Sequence, residues 1–410
     1  MLCRSWFFLG ATTGMLTLGI TWTIANESPA VSAVLTSSGS RAAYLGRATI
    51  WRDPEPRGPD EILAGPSGIF PYTFAEATTD TGIGCRFTRT GEYLGGETPK
   101  FLCTTNDRLE LRVKYWDSEA RTGNREVFST VAASRLLWAL GFETLHALPV
   151  NLRCDGCPKN PMTGEGAQRT RPYLAVLQEY DSRPLILSHH DRDQGWSWRE
   201  FDEAIKALPP GPERSRQRTH FDALTLLGVF LQHGDRKPEQ QALFCDAPID
   251  PAAGQTQPWD KSDRASLLAE APGTPACPHA VAMIVDLGAT FGGAGRTSRA
   301  GSATMNLDEW RTKTVFKASE NGICRGRLTV SLTAGSEGEG DPVISEDGRR
   351  FLLEQLQRLS PPHVRAIFAA ARSDKIRGSD ARNASGIDEW VAAFQDKVQQ
   401  IDAQRCQPAS

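Results

Sequence analysis

The chain has 410 residues, 40% of them hydrophobic, and a formal net charge of −3. That is apolar material enough for one two-lobed catalytic domain with inserts, or for roughly two to three smaller domains. The near-neutral balance gives no basic field for nucleic acid and no acidic excess for disorder, so function has to be read from local constellations.

At the start, "MLCRSWFFLGATTGMLTLGITWTIA" sets Arg4 ahead of a mostly apolar run over residues 7–25. Residues 1–25 read as a signal peptide, with an uncleaved N-terminal membrane anchor as the close competitor and a buried helix as the third reading. Either of the first two puts the rest of the chain outside the cytoplasm, periplasmic or secreted, or anchored by that one segment. Cysteine usage agrees. Beyond Cys3 there are eight cysteines, an even number that favours disulfides in an exported chain. Cys85 and Cys103 are symmetric about Leu94, so a hairpin centred there would set them face to face. Cys245 and Cys277 bracket a Pro/Gly-rich insert and are expected to bridge. "CDGC", residues 154–157, is half of a zinc pattern; without a second half, a local bridge or two structural cysteines is the stronger reading.

Residues 26–83, rich in Ser, Pro, Gly and Ala without a sustained period, read as an irregular linker or arm. Short strands are expected at 85–90 and 98–104, around "GEYLGGE". In "LELRVKYW", Leu109, Leu111, Val113 and Tyr115 alternate with Glu110, Arg112 and Lys114, which sends the lysine out on the face opposite the apolar one. A helix follows in "NREVFSTVAASRLLWALGF", with Asn124 as N-cap, Glu126 in the first turn and Gly141 as the stop. Next come a buried strand, "RPYLAVLQEYD", with a polar exit at Gln178 and Glu179, and the helix "HFDALTLLGVFLQ". That helix runs directly into "HGDRKPEQ", residues 233–240. An apolar strand over 281–285 ends on Asp286, Leu287 and Gly288. Helices are expected in "RRFLLEQLQRL" and "DEWVAAFQDKVQQI", with Phe351, Leu352, Leu356, Leu359, Trp390, Val391, Phe394 and Val398 as their buried positions.

A lysine on the third strand, a glutamate on the next helix, "HGDRKPEQ" and then "DLG" after a further strand resemble the ordered parts of the protein-kinase-like superfamily. The "GDR" step is similar to loops of its atypical branch: HipA-like, phosphoinositide-kinase-like and secreted atypical kinases. The resemblance implies an α+β, two-lobed fold. Residues 84–180 would form a small lobe with an antiparallel sheet and one helix, and residues 181–405 a mainly helical lobe carrying the catalytic loop 233–240 and the metal-binding segment 286–288. It also implies an ATP-dependent phosphotransferase acting on an unidentified hydroxyl-bearing protein, lipid or small molecule with Mg2+ or Mn2+. The alternative is an exported pseudokinase acting as a nucleotide-binding or interaction module.

Phosphoryl transfer needs charge neutralisation and in-line placement more than covalent chemistry. In that scheme Lys114 contacts the nucleotide phosphates and Glu126 holds Lys114; the bland alternative for Glu126 is a first-turn acid answering the helix dipole. Asp235 orients or deprotonates the substrate hydroxyl, and Lys237 neutralises the moving phosphoryl group. Asp286 and Gln240 bind the metal, Gln240 standing where the family usually has asparagine. Gly91, Gly95 and Gly96 let backbone N–H groups approach the phosphates, although a plain hairpin turn explains them equally well. Gln178 and Glu179 fall to the cofactor by position.

Overall fold

The structure is a computed structural model that describes residues 33–36, 38–89, 98–116, 125–179, 183, 185–188, 195–246, 277, 279–292, 304–318, 321–328, 341–376 and 386–407. The expected leader or anchor at 1–25, the N-cap Asn124 and the glycines Gly91, Gly95 and Gly96 lie outside them. No helix among the described residues is long and apolar enough to cross a membrane.

The described part of residues 26–83 is not an irregular arm. It contains strand β1 (Ala33–Thr36) and helices α1 (Ser38–Arg47), α2 (Pro59–Ala64) and α3 (Phe74–Ala77). Leu45, Ala48, Ile50 and Ile62 from this stretch are all 1% exposed or less in the main core. Their helices are too short for periodicity to reveal, and the readable signals sit at the ends. Pro59 opens α2, where Glu61 accepts from the Gly58 N–H at 2.7 Å. Thr73 and Glu76 cap α3 reciprocally.

Period-two alternation then builds a closed barrel. Strands β2 (Ile83–Thr88), β3 (Lys100–Thr105) and β4 (Glu110–Tyr115) form an antiparallel meander, α4 (Glu126–Leu140) follows, and β5 (Ala147–Cys157) and β6 (Arg169–Gln178) complete the order β2-β3-β4-β6-β5. Phe101, Cys103, Leu111, Val113 and Tyr115 point inside, as the alternation requires. The plain antiparallel sheet expected for residues 84–180 is thereby corrected. The long β5 pairs with β6 on one side and runs parallel to β2 on the other, which closes the sheet and leaves it no open edge. Helix α4 is buried nearly all round, from Val127 to Leu137. Gly141 ends it at φ 82°, in the left-handed region.

The remaining elements are β7 (Leu185–Ser188), α5 (Trp198–Ala207), α6 (Pro212–Leu231), β8 (Gln241–Cys245), β9 (Ala280–Ile284), α7 (Leu307–Thr312), β10 (Cys324–Arg325), β11 (Val343–Ile344), α8 (Glu346–Gln357), α9 (Pro361–Ala370) and α10 (Ile387–Ala403). A second sheet, ordered β1-β7-β8-β9, lies among them, so this part is helical with a sheet inside it rather than helices alone. Leu352 and Leu356 on α8 and Trp390, Val391 and Phe394 on α10 are buried, as their spacing predicts, whereas Phe351, Leu359 and Val398 are only partly buried. Trp390 stacks on Phe368 and meets Trp310 and Phe291. Arg372 ties this part to the barrel: its guanidinium donates to the carbonyls of Val150 at 3.2 Å and Ala175 at 2.9 Å.

Four disulfides staple the fold: Cys85–Cys103, Cys154–Cys157, Cys245–Cys277 and Cys324–Cys406, with Cα separations of 5.6, 5.7, 5.5 and 5.2 Å. Bonded to each other, Cys154 and Cys157 form the local bridge and leave no thiolates for zinc. Cys85 and Cys103 bridge diagonally, because Cys85 stands opposite Thr105 and Cys103 opposite Phe87. The hairpin centre is therefore one residue beyond Leu94.

Burial also sets an acid limit on stability. It lowers the pKa of His146 to about 3 and those of His220 and His233 to about 4, and neighbouring arginines push each the same way. Folded-state values below the unfolded value of about 6.5 mean that the unfolded chain takes up protons first. The stability these imidazoles contribute is complete above pH 6.5 and is lost as pH falls toward 4. The fully buried His233 alone contributes a slope of up to about 1.4 kcal/mol per pH unit in that window. Urea midpoints at about pH 7.5 and about pH 5 check this; identical midpoints would contradict neutral buried imidazoles.

Candidate active site

Helix α6 stops abruptly at Gln232, which adopts φ 56°. Its side-chain amide donates to the carbonyls of Val229 at 2.9 Å and Arg327 at 2.6 Å, which fixes a conformation unusual for a residue with a Cβ. The chain leaves as the loop 233–237, makes one 3-10 turn, Pro238–Gln240, and enters β8. Because β8 and β9 are antiparallel neighbours, with Gln241 opposite Ile284, the loop entering β8 and the segment leaving β9 share one end of the sheet. The Gln240 carbonyl accepts from the N–H groups of Val285 at 2.8 Å and Asp286 at 3.3 Å. That pairing brings Asp235 and Asp286 together across 51 residues of sequence.

The barrel delivers the cations. Lys114 Nζ lies 3.4 Å from both carboxylate oxygens of Asp286. Gly288 donates its N–H to Asp286 Oδ1 at 2.9 Å, and its carbonyl accepts from Ser129 of α4. A Cβ at Gly288 would fall 2.6 Å from Glu126 Oε2, so only glycine permits this approach of the 286–288 segment to the helix. Glu126 accepts from the Thr98 hydroxyl. Glu126 thus joins the cluster around Lys114, while the direct ion pair of Lys114 runs to Asp286.

Charge follows from this packing. Burial pushes the Glu126 carboxyl upward and Asp286 adds to it, against the pull of Lys114, Thr98 and Lys100. Burial opposes ionisation of Asp286 too, but Lys114, the Gly288 N–H and Lys100 outweigh it and hold that group below the usual carboxylate range. Asp235 goes the other way, raised by burial and by Asp286 despite Lys237 and Gln240. Lys237 Nζ is 3.5 Å from Asp235 Oδ1, and the Gln240 amide donates to Oδ2 at 3.1 Å. One carboxylate held ionised beside one poised to take a proton is a division of labour seen in acid–base sites.

The structure therefore gathers Lys114, Glu126, Asp235, Lys237, Gln240 and Asp286. Gln178 lies nearby, its amide 3.4 Å from the Val285 carbonyl, whereas the Glu179 carboxylate accepts from the His146 N–H at 2.9 Å and is engaged in the fold. Lys100 escaped the sequence reading. It stands opposite Lys114 in the β3–β4 register, is 8% exposed, and has its pKa lowered to about 8 by burial first and Lys114 second. The same alternation that singled out Lys114 could have found it, since Phe101 and Cys103 point inward and Lys100 shares the outer face.

No family profile and no curated protein matches the chain. Among solved structures, the proinflammatory kinase CtkA of Helicobacter pylori is similar over 78% of this chain and 93% of that one, with 11% identity and a TM-score of 0.38. At that level of likeness the side chains, not the neighbour, have to identify the chemistry.

Proposed function

We propose that the protein is an ATP-dependent phosphotransferase of the atypical protein-kinase-like class, moving a phosphoryl group to a hydroxyl of a protein, lipid or small molecule. In this reading the barrel with α4 is the smaller lobe and the helical part the larger. The observation that carries it is the contact of Lys114 with both oxygens of Asp286 across 172 residues, beside Asp235 and Lys237. Lys114, with Lys100 beside it, binds the phosphates of the nucleotide, and Glu126 keeps the lysine in place. Asp235 aligns the acceptor hydroxyl and takes its proton. Lys237 then meets the charge on the transferring group.

The residues fit a divalent cation, because Asp286 is held anionic and the Gln240 amide, its NH2 turned to Asp235, offers its oxygen. Mg2+ or Mn2+ held there would neutralise phosphate charge. Four disulfides suit an oxidising compartment and agree with export.

Thermal denaturation with and without nucleotide and metal tests the reading. Metal-dependent stabilisation by ATP of about 2.7 kcal/mol is expected at a hundredfold excess over Kd. Mass spectrometry should then find autophosphorylation or a phosphorylated product. Stabilisation without any phosphorylated product would leave a nucleotide-binding pseudokinase, and no stabilisation at all an interaction scaffold.

A further inference from the structure

A second cleft, of 1360 Å3, opens among α5, α6 from its start to Thr225 and the β10–β11 hairpin. Arg236 lines it, yet belongs to the loop that carries Asp235. Arg236 is 3% exposed, and its guanidinium carbon lies over the Trp198 ring, 3.6 Å from its centroid. Among the described residues its Nε has no hydrogen-bond partner, and no carboxylate pairs with it. Burial alone lowers its pKa to about 9, with no acid near enough to oppose the shift. A buried cation without a counter-ion is costly to the fold.

The same lining holds a second orphan. Thr225, 5% exposed on α6, has a buried hydroxyl without a partner. Two of the three acids of the lining are paired, Arg218 with Asp202 at 2.7 Å and Asp222 at 3.2 Å and Lys206 with Asp202 at 2.6 Å, and the third, Asp347, is exposed. Arg214, also in the lining, forms no ion pair among the described residues. Two uncompensated cations and an unpaired hydroxyl thus converge on one cleft.

We propose that this cleft binds a phosphate group, free or carried as a monoester, with Arg236 as its buried anchor, Thr225 as a second donor and Arg214 as a further cation. A planar guanidinium fork, a hydroxyl and another positive charge suit a tetrahedral dianion better than a carboxylate. Because the anchor is the residue after Asp235, a bound anion would fix the loop that carries the base. The site does not depend on the kinase reading.

Thermal denaturation should be followed with inorganic phosphate, O-phosphoserine, acetate, and chloride at matched ionic strength. Wild type and Lys114→Ala are compared so that phosphate binding at the other site is discounted. Phosphate or O-phosphoserine should stabilise both proteins beyond chloride, and the tighter of the two identifies the free or the ester source. Arg236→Gln should weaken binding about tenfold or more. Should that variant fail to fold, Arg214→Ala and Thr225→Val decide, since one is peripheral and the other isosteric; each should weaken binding severalfold. Stabilisation no greater than with chloride, acetate acting as well as phosphate, or phosphate binding unchanged in both of those variants would overturn the proposal.

Discussion

Asp286→Asn is expected to reduce phosphoryl transfer by on the order of a thousandfold or more while leaving the protein folded. The asparagine keeps the shape and can still accept from the Gly288 N–H, but it removes the charge that faces Lys114 and would hold the metal. Asp286 is about a third exposed, so no core volume is lost. Asp235→Asn should cost about 10²- to 10⁴-fold, the usual worth of a positioned general base. The two should differ in kind. On the proposed reading, loss of Asp286 should abolish metal-dependent nucleotide binding, whereas loss of Asp235 should spare it and remove turnover. Initial rates and nucleotide titrations on both variants check this; a tenth of wild-type activity in either would remove the mechanism.

The largest stability loss is expected from opening Cys324–Cys406. Its sequence separation is 82, against 32, 18 and 3 for the other bridges. If disulfides stabilise by restricting the unfolded chain, this one contributes about 4–5 kcal/mol, Cys245–Cys277 about 3–4 kcal/mol, and Cys154–Cys157 the least. The bridge also tethers the tail beyond α10 to β10, where the Cys406 N–H donates to Glu346 at 2.9 Å. Urea denaturation of paired serine variants should rank the bridges in this order. A Cys154–Cys157 variant as destabilised as the Cys324–Cys406 one would refute the chain-entropy account.

What could be read in advance was whatever a local period or an ordered motif encodes. The alternation around Lys114 fixed both its strand and its face, and the apolar run over 281–285, one residue off the observed strand Ala280–Ile284, led to Asp286. The Cys245–Cys277 pairing followed from two strands expected to be neighbours, and β8 and β9 are. Contacts that depend on tertiary closure were not legible. The parallel pairing of β2 with β5 joins residues some seventy positions apart with no turn to announce it. The resemblance assigns Glu126 to Lys114, and the fold adds Asp286, which reaches the same ammonium from 172 residues away. Arg236 lay inside the motif, but its burial against Trp198 depends on the packing of α5.

Strand β1 carries a consequence for how the molecule is made. Its parallel partner is β7, Ala33 standing opposite Leu185, so during synthesis the strand emerges some 150 residues before anything can pair with it. At about 5–20 residues per second that is a wait of roughly ten to thirty seconds with a bare hydrogen-bonding edge. The intervening barrel can close meanwhile, since all its strands come from the residues between. Assembly is therefore ordered barrel first and second sheet later, and a chaperone that shields an unpaired strand would act on this protein in that interval.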